Sequence, residues 1–119
     1  MDASPASLPG VDRVAVGGLL VGAAFGLAGT FAASPTLQAT LWAIDSVGLV
    51  LATTLLAIKY ARAGADLVAG GFLVFAMGES VLFSGTAAGP SGSVPAFAAG
   101  VALWAAALTM ISAPRLLPL

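Results

Sequence analysis

The sequence predicts an all-α fold, an integral membrane four-helix bundle with both termini cytoplasmic. Three observations carry that prediction. The 119 residues are 60% hydrophobic and 8% charged, whereas soluble domains carry about 25% charged residues. The mean hydropathy is +1.08. The apolar positions gather into four runs, each close to the ~20 residues that cross a hydrocarbon core of ~30 Å as a helix. These runs are continuously apolar rather than alternating, which excludes a membrane β-barrel.

The first run, about 13–33, follows Asp12-Arg13, which reads as a helix-start and interface pair. Gly18, Gly22 and Gly26 recur at four-residue spacing, a pattern of small residues that lets membrane helices approach closely. Phe31-Ala32-Ala33 has the small residues of a signal-peptide cleavage site, but the run is long enough to span and is read as a retained helix. Ser34-Pro35 ends it. The second run, about 36–60, closes with Lys59 and Tyr60, a basic and aromatic pair suited to an interface. The stretch 61–64 separates it from the third run, about 65–87. A Gly, Pro and Ser-rich break at 88–95 then leads into the fourth run, about 94–112, which carries Gly100. Every proline falls in a terminus or at a break, where a missing amide hydrogen costs least.

Orientation follows from charge. The basic residues are Arg13, Lys59, Arg62 and Arg115. With four crossings they all fall on one side, and the positive-inside rule makes that side cytoplasmic. The expected location is therefore integral to a cytoplasmic or inner membrane.

Two carboxylates interrupt the apolar runs, in the triplets Asp45-Ser46-Val47 and Glu79-Ser80-Val81. A charged group at membrane depth costs roughly 2.5–3.5 kcal/mol on insertion scales. In a hairpin turned at Arg62 and Ala63, Asp45 comes level with Glu79, and Ser46 with Ser80. Asp45 also comes level with Gly22 of the first helix, and Glu79 with Gly100 of the fourth. The acids are expected in one polar layer near the bilayer centre, with the four glycines as helix-packing positions.

Such a layer suits a proton shared between two acids, or a small hard cation held by carboxylate and hydroxyl oxygens. Its candidate ligands are Asp45, Glu79, Ser46 and Ser80. A structural or accessory role is the alternative, with neutral acids acting as interhelical hydrogen-bond glue. Cys and His are both absent, which removes disulfides, thiol chemistry, Ser-His nucleophiles and His-ligated cofactors. The chain reads as a non-enzyme without a cofactor. A net charge of −1 with no basic patch points away from nucleic acid.

Four packed helices leave no wide pore, so transport implies a homo-oligomer within the lipid bilayer, with the glycine face of the first helix as its contact. Among the remaining polar residues, Thr53 and Thr54 are expected to bond their own helix. Lys59 and Arg62 should reach headgroups, and Gln38 and Trp42 should sit at the interface. Trp104 is too deep for an anchor and is expected to fill space beside glycine.

Overall fold

The computed structural model describes residues 10–116. It is all-helical, with α1 at Gly10–Thr30, α2 at Pro35–Arg62, α3 at Asp66–Ala87 and α4 at Gly89–Leu116. All four are long and apolar enough to cross a membrane. At 1.5 Å per residue, α1 and α3 are about 32 Å long, and α2 and α4 about 42 Å.

Local chemistry sets the ends. Ser34 caps α2, its hydroxyl accepting from the Leu37 amide at 3.2 Å, and Pro35 follows at the first helical position, where a proline loses nothing. The α2–α3 turn closes with two reverse hydrogen bonds, Ala65 N–H to Tyr60 O at 2.9 Å and Gly64 N–H to Ala61 O at 3.1 Å. This is the Schellman arrangement, which needs a left-handed residue, and Gly64 supplies it at φ 75°. Gly89, left-handed at φ 81°, makes the turn between α3 and α4, where Pro90 has no amide hydrogen to complete a Schellman pair.

Both boundaries of α4 depart from expectation. It begins at Gly89 rather than near residue 94 and ends at Leu116 rather than near 112, so Pro95 and Pro114 both lie inside a helix. Pro90 sits in the first turn, where its ring favours helical φ. The Ser93 hydroxyl bonds the Pro90 carbonyl at 2.9 Å, so the Gly, Pro and Ser-rich stretch winds into helix instead of a loop. Pro5, Pro9 and Pro118, expected in the termini, lie outside the described residues.

Successive helices run antiparallel, and the packed pairs are α1 with α2, α2 with α3, and α3 with α4. α1 and α4 do not pack on each other. The bundle is therefore an open arc rather than a closed ring, measuring 53 × 31 × 19 Å. Its ends are chemically distinct. Arg13, Lys59, Arg62 and Arg115 all lie at the end carrying the start of α1 and the close of α4, here called the terminal end. The opposite, turn end carries the α1–α2 and α3–α4 connections.

The interior is built from small residues. Ala15, Ala52, Ala57, Ala69, Ala76 and Ala107 are buried, and no large side chain is fully enclosed. Large apolar residues face outward instead, with Leu20 65% and Val47 69% exposed. That inverts a water-soluble core and suits a hydrocarbon surround, where helices associate through close packing rather than apolar burial.

Glycine sets the closest approaches. A β-carbon on Gly18 would lie 2.7 Å from the Gly48 carbonyl oxygen, and one on Gly48 2.8 Å from that of Gly18. The same reciprocal contact joins Gly78 and Gly100 at 3.0 Å each way. The glycine face of α1 thus packs within the bundle, against α2. At the terminal end Lys59 pairs with Asp12 at 2.6 Å. Asp12 therefore bridges to α2 through Lys59.

These contacts separate neighbouring glycines sharply. Gly17→Ala meets open space and should leave stability within about 0.5 kcal/mol. Gly18→Ala meets backbone and should cost about 1–3 kcal/mol. Thermal unfolding in detergent micelles checks this, and equal midpoints for the two variants would refute the backbone crossing.

Candidate functional site

The two carboxylates come from neighbouring helices and line one cavity of about 250 Å³. All four helices contribute to its wall, which places it on the concave side of the arc. α2 supplies Trp42, Asp45 and Ser46, and α3 supplies Glu79. The equal level expected for the acids is realised in one bond: the Ser46 hydroxyl donates to Glu79 Oε1 at 2.7 Å. Ser46 and Glu79 are both buried, Glu79 with 3% exposure.

Asp45 is half-buried and faces α1. A β-carbon on Gly26 would lie 2.7 Å from Asp45 Oδ2, and one on Gly22 3.1 Å from Oδ1. The α1 glycines therefore hollow out the seat of this carboxylate. Gly18, one turn earlier, meets Gly48 and Ala52 instead.

Ser80 is not brought to the cavity. Its hydroxyl bonds the Ala76 carbonyl at 2.9 Å, and it lines a lateral groove between α2 and α3 with Val47 and Thr54. Ser46 borders both the cavity and this groove, whereas Ser80 borders the groove alone. Gly100 lies behind the site, against Gly78 and Leu82. Asp45 is the eleventh residue of α2, about 15 Å from the turn end at 1.5 Å per residue, and Glu79 about 12 Å from the close of α3.

Aromatic residues form much of the wall. Trp42 and Trp104 both line the cavity, as do Phe83 and Phe97. Trp42 packs against Gly29, and its indole N–H donates to the Gly26 carbonyl at 3.3 Å. Gln38 donates to Gly29 O at 3.2 Å, so both residues tie α2 to α1. Trp104 stacks on Phe75 at a 5.3 Å centroid distance and lies beside Gly78, the space-filling position expected of it. Thr53 bonds its own helix, to Leu49 O at 2.7 Å.

Two polar atoms are left over. Glu79 Oε2 and Trp104 Nε1 are buried without a hydrogen-bond partner among the described residues. Such atoms are rare and costly unless a ligand or water meets them. Among the described residues no group of three or more metal-ligating side chains gathers. The site thus offers two carboxylates, the Thr30, Ser46 and Thr86 hydroxyls, and the unpartnered Trp104 indole N–H.

Sequence reasoning missed the aromatic wall, because Trp and Phe in an apolar run carry no spacing signal. It also passed over Gly71, Gly78 and Gly85, which all meet α4, although their seven-residue spacing was legible. Comparison with known proteins finds no matching family model, no matching curated protein and no matching solved structure.

The serines should separate in a stability measurement. Ser46→Ala removes the bond between α2 and α3 and should cost about 1 kcal/mol. Ser80→Ala loses only a bond within its own helix and should stay within about 0.5 kcal/mol. Denaturant titration in mixed micelles reads both, and a larger loss from Ser80→Ala would contradict this geometry.

Proposed function

We propose that the protein is a small integral membrane carrier that moves protons or a small cation through the Asp45 and Glu79 cavity. Its termini are cytoplasmic in this reading, because the four basic residues share one end. The observation that carries the proposal is the convergence of two carboxylates from different helices on one cavity, with one oxygen of Glu79 buried and unpartnered.

Energetics favour a working role for the pair. Each acid at membrane depth costs roughly 2.5–3.5 kcal/mol on insertion scales, and a membrane interhelical hydrogen bond returns about 0.6 kcal/mol on average. One Ser46–Glu79 bond does not offset two acids. The ligand set suits a proton or a monovalent ion better than a divalent metal, which takes six or more oxygens.

More than one copy belongs to the reading. α1 and α4 stand apart, and Asp45 keeps partial exposure in the single chain. Lipid cannot solvate a carboxyl group, so a neighbouring copy closing the flank between α1 and α4 would complete the site. An enzymatic role has the least support, since the chain has neither His nor Cys.

The Ser46–Glu79 bond favours a second reading, a structural or accessory subunit in which neutral acids hold α2 to α3. Reconstitution separates the two. Proteoliposomes under a pH or cation gradient should show flux with the wild-type protein. That flux should survive Ser80→Ala and fall at least tenfold in Asp45→Asn/Glu79→Gln. Undiminished flux in the double variant would reduce the acids to packing elements, and flux from none would favour the accessory subunit.

A further inference from the structure

The carboxylate cavity does not end at its own walls. A second cavity of about 420 Å³ lies at the turn end, between the start of α2 and the α3–α4 connection. Trp42, Thr86 and Phe97 line both. The outer chamber is rimmed by Gln38 and Ser93, two polar side chains, and by the α4 N-terminus at Gly89 and Pro90. The two cavities thus adjoin across these three side chains, one toward the turn end and the other at Glu79.

Packing closes the other direction. Toward the terminal end, Ala52, Thr53 and Ala57 of α2 are buried, as are Ala69 and Ala76 of α3. Gly71 sits against Ala107, Met110 and Ile111 of α4. Phe75 stacks on Trp104, and Tyr60 on Phe72 at 5.6 Å. Small residues and stacked rings fill the space that a path toward the basic end would need.

The chemistry at the closed end selects what enters. Glu79 Oε2 is an acceptor when ionised, and Trp104 Nε1–H is a donor only. A bare cation satisfies the first and is repelled by the second. A water molecule satisfies both, accepting from the indole and donating to the carboxylate. A site with polar partners and room for more than one water is the kind that is hydrated.

Building on the transport reading, we infer that the two cavities form a one-sided hydrated vestibule. It delivers water, and with it protons, from the turn end to Glu79 through the constriction at Trp42, Thr86 and Phe97. Water bridges Trp104 Nε1 to Glu79 Oε2 at its inner end. Glu79 exchanges protons with one side of the membrane only in this conformation.

Two measurements test the vestibule without relying on flux. The chain has no cysteine, so single-cysteine variants carry one reactive thiol each. In oriented vesicles, a charged membrane-impermeant thiol reagent should label Ser93→Cys and Thr86→Cys from the turn side. Ala57→Cys should react at least tenfold more slowly from either side. The chain also has two tryptophans, which Trp→Phe variants assign in a nitrogen-15 spectrum. The Trp104 indole proton should exchange with water faster than that of Trp42, which has the Gly26 carbonyl as partner.

Protection of Thr86→Cys from both sides, or equal labelling of Ala57→Cys, would overturn the vestibule, as would slower exchange at Trp104. The transport reading fails separately. Labelling as expected with no flux would keep the vestibule and remove the carrier. Flux with Thr86→Cys protected would do the reverse.

Discussion

Backbone contact at two glycine pairs is the constraint from which the rest of the molecule follows. Gly18 meets Gly48 between α1 and α2, and Gly78 meets Gly100 between α3 and α4. In a hydrocarbon surround no apolar driving force holds helices together, so association depends on how closely they fit. Any β-carbon at these four positions would strike an opposing carbonyl oxygen. With the backbones so near, the side chains one and two turns away are fixed in turn. Asp45 settles over Gly22 and Gly26, Trp42 over Gly29, and Trp104 beside Gly78.

The polar site is a by-product of that closeness as much as of its own bonds. One hydroxyl, that of Ser46, joins α2 to α3 at the level of the acids. Glycine on α1 clears room for one carboxylate, and small residues toward the terminal end seal the cavity floor. Aromatic rings supply the remaining wall, so the carboxylates lie in a cavity that is largely apolar yet hollow. Dispensing with large buried side chains leaves few means of filling space.

Much of this was legible in the sequence. Four runs of near-membrane length gave four helices, and Ser34-Pro35 and Gly64 marked real ends. Hairpin arithmetic brought Asp45 and Glu79 to one level because a 1.5 Å rise per residue leaves little freedom once a turn is fixed. Facing was harder. It depends on the rotation of each helix about its axis, and a run that is apolar all round does not report rotation. Ser80 was for this reason grouped with the acids, although it lines the adjoining groove and bonds its own helix. The start of α4 was missed because Gly, Ser and Pro signal a break, whereas Pro90 in a first turn promotes a helix. The α1 glycines read as packing positions, but spacing alone does not distinguish α2 from a second copy as their partner.

The distribution of glycine contacts also divides the molecule mechanically. Those of α1 and α2 join the first two helices, and Gly70, Gly71, Gly78 and Gly85 all turn from α3 toward α4. None bridges α2 and α3. The protein is thus two tightly clasped hairpins joined along a broader seam, with the hinge at the Gly64 turn. A rocking of one hairpin against the other would stretch the Ser46–Glu79 bond before it disturbed either clasp. The softest coordinate of the fold and the geometry of its carboxylates are then one variable.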